Sequence, residues 1–327
     1  MVRFQDIYGN ESVISHFQTA LRTGNVSHAY LISGAEGSGK NMLANAFTAA
    51  LLCKEGGVEP CGKCKSCIQA ESGNHPDIIR VTHEKTIIGV DDIREQLNAN
   101  VSIRPYSSEY KVFIVDEAEL MNDAAQNALL KTLEEPPEYV VIILLSTSEE
   151  ALLPTIRSRC ILLNSRPLPK EAVSRYLSKN YSMPDYQADV AAAFSGGNLG
   201  RAIEYATSEE ASEERTNILE MLRHIDELTL AELANAVKVP ADRRNDVLDL
   251  LLIWIRDVML CKASGNTKQL ILKDESRSIA HVADTHSFEA LERAAKAVEE
   301  TRSRLNSNVS ADLSMEMLLL AFSDKEP

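Results

Sequence analysis

Three groups of residues have the types and spacing that chemistry needs. The first is Gly34-Ala35-Glu36-Gly37-Ser38-Gly39-Lys40-Asn41. Its glycines let backbone N–H groups turn toward phosphate oxygens, the helix expected after it adds a positive dipole end, and Lys40 reaches the β- and γ-phosphates. Gly34, Gly37, Ser38, Gly39, Lys40 and Asn41 are thus candidate nucleotide-binding residues. The second is Asp116-Glu117, which ends the apolar run Val112 to Val115. In phosphate-loop proteins the first acid holds Mg²⁺ through water and the second polarises the attacking water. The plainer alternative is a polar strand end whose acids cap the next helix. The third is Cys61-Gly62-Lys63-Cys64-Lys65-Ser66-Cys67, with Cys53 eight positions before it. Tight CxxC spacing lets two thiolates grip one ion, and four thiolates with no water position make a structural zinc site.

The phosphate loop departs from its motif at one position. A Ser or Thr hydroxyl normally follows the lysine and meets Mg²⁺, and Asn41 stands there instead, on a longer arm. Because Mg²⁺ demands near-ideal octahedral geometry at short distance, binding and hydrolysis separate: Lys40, Asp116 and Glu117 favour bound ATP/Mg²⁺, whereas Asn41 argues against productive turnover. Ser146 and Thr147 close a further apolar run, where a hydroxyl senses a γ-phosphate or simply makes a turn. For the cysteines, redox chemistry is the rival reading, and it lacks a thioredoxin-like context. A zinc-dependent nucleic-acid module using Lys63 and Lys65 is another, resting on two lysines. Cys160 and Cys261, in apolar segments, read as small core residues.

These groups need elements to hold them. Ala29 to Ser33, Ile78 to Val81, Lys111 to Val115, Val140 to Ser146 and Cys160 to Leu163 read as strands. Their near-continuous hydrophobicity predicts burial on both faces. Helices are expected over Asn41 to Leu52, Val90 to Asn100 and Asp123 to Leu133, so the first half is a mainly parallel α/β sheet with the cysteine run in a loop. After Pro167 and Pro169 the pattern becomes helical: Lys170 to Tyr181, Pro184 to Phe194 and Leu199 to Tyr205. From Ser208 on the chain reads as amphipathic helix, with Leu248, Leu251, Leu252 and Ile255 at helical spacing. The expected domains are an α/β domain (1–166, cysteine insertion 53–67), a small helical lid (167–207) and an all-α C-terminal domain (208–327).

Composition excludes several classes. The 327 residues are 44% hydrophobic and 25% charged, so each domain can bury a core. Lys plus Arg total 34 against 48 Asp plus Glu, a net charge of −14 that opposes a large generic affinity for nucleic-acid phosphate. The N-terminal residues carry no apolar signal segment, and Tyr139 to Leu145 is too short to cross a bilayer. No membrane association and a cytoplasmic location are expected.

Taken together the chain resembles the delta-prime branch of the bacterial clamp-loader subunits of DNA polymerase III, in the AAA+ superfamily. It is also similar to the N-terminal part of their tau/gamma relatives. The matching segments are His28-Ala29-Tyr30-Leu31, the phosphate loop, the four cysteines, His75-Pro76-Asp77, Asp116-Glu117-Ala118, Asn127 to Pro137, Ser158-Arg159-Cys160 and Ser195-Gly196-Gly197-Asn198. They run in family order over about 200 residues. The resemblance implies an AAA+ phosphate-loop domain, a lid and a helical collar in a five-membered ring with tau/gamma and delta subunits. That ring loads a sliding clamp onto primer–template DNA. Arg159 is then a finger entering a neighbour's ATP site, Glu117 is vestigial, the chain's own ATPase is weak or absent, and the helix face around Trp254 packs in the collar. Asn41 favours delta-prime over an ATP-hydrolysing motor. So does the lid, where Gly200 holds the motor's arginine position and Arg201, rotated by about 100° on a helix, faces elsewhere. The lack of a long extension after residue 327 points the same way.

Overall fold

The computed structural model describes residues 2–83, 86–224, 243–305 and 310–322. The chain divides into two compact units, Met1–Leu168 and Pro169–Pro327. The first is built on five parallel strands: β1 (Ala29–Ser33), β2 (Ile78–Val81), β3 (Lys111–Val115), β4 (Val140–Ser146) and β5 (Ile161–Asn164). Their order across the sheet is β2-β3-β4-β1-β5.

Strand periodicity sorts the apolar residues between the two faces. Tyr30, Ile32, Val112, Ile114, Val141 and Ile143 pack with Phe17 of helix α1 (Glu11–Thr23) and Phe47 of α2 (Lys40–Leu51). There Phe17 and Phe47 stack at 4.2 Å, and Tyr30 meets each at 5.3 Å. Ala29, Leu31, Phe113, Val115, Ile142 and Leu144 face the other way, against Ile93 and Leu97 of α4 and Leu129 and Leu133 of α5 (Asp123–Glu134). Helix α4 comprises Val90–Ile93, a π turn at Arg94–Asn98, and Ala99–Val101. The short α3 (Lys65–Glu71) follows the cysteines, and α6 (Pro154–Arg157) leads into β5.

Burial on both faces holds for β1, β3 and β4 and fails for β2 and β5. These two are the sheet's edges, covered incompletely, and Ile161 and Leu162 of β5 are 39% and 42% exposed. Cys160, expected in the core, is only partly buried beside the same edge. Cys261 is buried.

The second unit is helical throughout its described residues: α7 (Lys170–Tyr181), α8 (Asp185–Phe194), α9 (Leu199–Thr207), α10 (Glu209–Arg223), α11 (Arg244–Ser264), α12 (Ser276–Thr285), α13 (Phe288–Leu305) and α14 (Ala311–Phe322). Val190 and Phe194 of α8 share one core with Leu222, Leu248, Leu251, Ile255 and Val298. Trp254 lies inside that core, 3% exposed, so its face is spent within the chain and is not a free collar surface as expected. Arg201 pairs with Asp246 and, at 2.6 Å, with Asp249 of α11, and Arg302 shares Asp249.

Candidate nucleotide and metal sites

Because all five strands are parallel, β1, β3, β4 and β5 deliver their following residues to one edge of the sheet, where α/β proteins bind ligands. β1 runs into the glycine loop, and α2 starts at Lys40 with Gly39 at its N-cap. Gly37 and Gly39 have φ of +69° and +92°, conformations that side chains rarely adopt. At Gly34 a Cβ would lie 2.4 Å from the Ser165 carbonyl and 2.8 Å from Ser38 Oγ, so only glycine fits. The loop is clamped through the Ser38 carbonyl, which accepts from Ser165 Oγ at 2.7 Å and Asn10 Nδ2 at 3.0 Å. Asn10 in turn accepts from the Arg166 N–H. Ser38 Oγ itself is buried, without a partner among the described residues.

Lys40 Nζ donates to the carbonyls of Gly34 (2.6 Å) and Ala35 (2.9 Å). Burial pulls its pKa below the ordinary lysine value, with Glu119, Asp116 and Glu36 acting against that shift. Next along α2, Asn41 Nδ2 donates to Asp116 Oδ2 at 2.5 Å, and its Oδ1 accepts from Arg80 at 3.3 Å. Arg80, on edge strand β2, also donates to Asn45. At the end of β3, Glu117 holds φ +49°, a left-handed conformation costing a non-glycine residue about 1–3 kcal/mol. It makes no side-chain cap, and His83 Nε2 lies 3.3 Å from its carboxylate. Asp116 accepts from the Glu117 N–H. Thr147, after β4, donates to Glu119 Oε1 at 2.6 Å. Burial would raise the Glu119 carboxyl, yet the Thr147 and backbone hydrogen bonds hold it below the usual range.

Strand order therefore collects Lys40, Asn41, Asp116, Glu117 and Thr147 at one edge. Sequence reasoning missed Arg80, His83 and Glu119 there. A lone charge on a strand and an acid in a 3-10 turn carry no motif, and only the strand order reveals them. Glycine loop, lysine and unpaired Ser38 hydroxyl fit a polyphosphate. The Mg²⁺ position does not fit its ion. Asn41 stands where a hydroxyl would meet the ion, and its amide N–H donates to Asp116, the acid that would hold the ion's water.

Arg159 sits elsewhere. Ile161 pairs with Tyr30 near the start of β1, and Asn164 with Ser33 at its end. Arg159, two residues before Ile161, thus stands at the sheet edge opposite the glycine loop, a strand length of roughly 13–17 Å away. Its guanidinium donates to the Thr155 carbonyl and pairs with Glu134, at the end of α5, at 2.8 Å.

The four cysteine sulfurs lie within 4.8 Å of one another, and all four thiols are free. A tetrahedron with metal–sulfur bonds of about 2.3 Å sets sulfurs about 3.8 Å apart, and Cys61 and Cys67 stand at 3.9 Å. Backbone N–H groups of Cys61, Cys64 and Cys67 point at the sulfurs of Cys53, Cys61 and Cys64. Burial opposes ionisation of Cys64, but the Cys67 N–H and other donors bring it down to about 6. Burial pushes the Cys67 thiol up. The run is not wholly a loop as expected: Cys64 caps α3 and Cys67 lies in its first turn, buried. Between them, Ser66 Oγ donates to the Leu52 carbonyl at 2.7 Å and meets His75 Nε2 at 3.0 Å. His75 Nδ1 accepts from the Asp77 N–H, so Nε2 carries the proton. The cysteine module is thereby tied to α2 and β2.

Two family descriptions match the chain: DNA polymerase III, delta subunit, over residues 9–169, and the C-terminal part of that subunit over residues 209–324. DNA polymerase III subunit delta' of Bacillus subtilis is 30% identical over 314 residues, 94% of each chain. The tau/gamma subunit of Haemophilus influenzae is 38% identical over 176 residues, and the tau subunit of Bacillus subtilis 36% over 202. These matches span 54% and 60% of this chain but only 25% and 36% of the relatives' own lengths. Among solved structures, a gamma subunit-related protein from Thermotoga maritima superposes with a TM-score of 0.50 at 21% identity, over 94% of this chain and 98% of that one. That likeness concerns the fold, which is of the AAA+ class.

Proposed function

Since the chain belongs to the delta-prime family of DNA polymerase III subunits, we propose that it is the non-hydrolysing member of a clamp-loader ring, acting on a neighbour's nucleotide through Arg159. The carrying observation is topological. Arg159 lies at the sheet edge opposite the chain's own glycine loop, so it cannot serve that loop and is free to serve another subunit's. There a guanidinium stabilises charge on the transferring phosphoryl group, a role worth about 10³–10⁵ in rate. Glu134 and the Thr155 carbonyl hold the side chain in place, which lowers the entropy lost when it engages.

At the chain's own loop, the acids that would serve turnover are committed elsewhere: Asp116 to Asn41, and Glu117 to His83. This favours the stationary role over the tau/gamma-type motor. Arg201, held by Asp246 and Asp249, supports the same reading. The partners on this account are tau/gamma and delta subunits, the sliding clamp, and primer–template DNA met through the assembled ring.

Cys53, Cys61, Cys64 and Cys67 would hold a structural Zn²⁺, which when bound staples the segment between α2 and α3. Four sulfur donors, all engaged, leave no position for catalysis. A cytoplasmic location fits the proposed partners, and no helix among the described residues is long and apolar enough to cross a membrane.

The test is Arg159→Ala in a ring reconstituted with its motor and delta partners. Assembly should persist while ATP hydrolysis and clamp loading fall. Unchanged loading by the variant would sink the assignment.

A further inference from the structure

The misfit at the metal position has a positive side. Asn41 and Asp116 close the gap in which Mg²⁺ would bind, but the charge a metal would bring is not missing from the neighbourhood. Arg80 extends its guanidinium from β2 to the Asn41 carbonyl oxygen at 3.3 Å and to Asn45 one turn further along α2. Asn41 thus bridges a fixed cation to the Asp116 carboxylate. The rest of the phosphate cradle is intact: Gly37 and Gly39 in left-handed conformations, Lys40 at the helix start, and the buried, unpartnered Ser38 hydroxyl. Arg80 is exposed, and its contact with Asn41 sets it beside the residue that follows Lys40.

We propose that this loop binds a nucleoside polyphosphate without a divalent cation, with Arg80 supplying the positive charge that Mg²⁺ supplies in hydrolysing relatives of the fold. Lys40 releases the Gly34 and Ala35 carbonyls to meet the phosphates, and Arg80 swings from Asn45 toward them. A guanidinium offers donors in a planar fork suited to phosphate oxygens. Unlike a metal ion bridging the β- and γ-phosphates, it does not neutralise the charge that develops between them on cleavage, and Glu117 is turned to His83, so the bound nucleotide is held and not cleaved. The inference rests on the glycine loop and Arg80 alone. Its failure would leave the role of Arg159 untouched, and the converse also holds.

The experiment is equilibrium binding of ATP to the full chain, in excess EDTA and again with Mg²⁺. ATP should bind in EDTA at least as tightly as with Mg²⁺. Arg80→Ala should weaken binding in EDTA tenfold or more, while Arg80→Lys, which keeps the charge, should retain most of it. Asn41→Thr, which restores a hydroxyl and frees Asp116, should bind more tightly with Mg²⁺ than in EDTA. The comparison on the unmodified chain decides the matter even where a variant fails to fold. Binding that weakens tenfold or more in EDTA overturns the proposal, as does binding in EDTA unaffected by Arg80→Ala, or no binding in either condition.

Discussion

Asp77 offers a test in which the structure sets both magnitude and pH dependence. Its carboxylate is 1% exposed and accepts three hydrogen bonds: from the Tyr106 N–H, from the Ser107 N–H at 2.8 Å and from Ser107 Oγ at 3.0 Å. It thereby ties the start of β2 to the loop that precedes β3. Asp77→Ala strands two backbone donors, and an unmet buried donor costs about 1–3 kcal/mol. Adding the lost packing, the variant should unfold at a stability lower by about 3–5 kcal/mol. Asp77→Asn keeps one acceptor oxygen but loses the charge and points an amide donor at other donors, for a loss of about 2 kcal/mol. Burial alone would raise the Asp77 carboxyl, but these hydrogen bonds win and hold it below its ordinary 3.8. A folded-state pKa lower than the unfolded one contributes stability that is complete above the unfolded value and is lost as pH falls through the folded one. The gap between the unmodified chain and Asp77→Asn, measured by urea denaturation, should therefore be constant near neutrality and close as pH drops below about 4. A gap unchanged down to pH 2, or no loss at pH 7, would refute the reasoning.

Other perturbations reach the remaining layers. Phe47→Ala removes a fully buried ring that stacks on Phe17 and meets Tyr30 edge-on, so the first unit should lose about 3–5 kcal/mol in chemical denaturation. Elemental analysis should find one zinc per chain. Chelation or Cys64→Ser should release it and lower the melting temperature, and the metal's affinity should fall with pH as the thiolates protonate. Arg201→Ala leaves Asp246 and Asp249 without their shared partner. These groups are a fifth to a third exposed, so denaturation of the second unit should show a loss of about 1–2 kcal/mol; no measurable loss would count against that bridge.

Much of the first unit was legible in the sequence because central parallel strands must be apolar on both faces. The runs at Ala29, Lys111 and Val140 could be little else. Their edge counterparts at Ile78 and Ile161 carry similar apolar residues, and only the order β2-β3-β4-β1-β5 shows that these lie at rims. The same distinction governs the site. Lys40 and Asp116 announce themselves by motif, whereas Arg80 and Glu119 become visible once strand order brings β2 and the turn after β3 to the loop. Trp254 misled for a related reason. Amphipathic periodicity says that a face is buried but not against which neighbour, and α11 spends that face inside its own unit. The carboxylate partners of Arg201 on α11 were not legible either, because helical rotation sets an angle and names no neighbour.

The account's central claim is that this chain acts through Arg159 on a neighbour and not through hydrolysis at its own loop. The most direct measurement is steady-state ATP turnover by the reconstituted ring carrying either Lys40→Ala or Arg159→Ala in this subunit alone. The account predicts that Lys40→Ala leaves turnover unchanged, while Arg159→Ala removes the share of one neighbouring site, whose rate falls by about 10³-fold or more. Turnover lost with Lys40→Ala and retained with Arg159→Ala would contradict it.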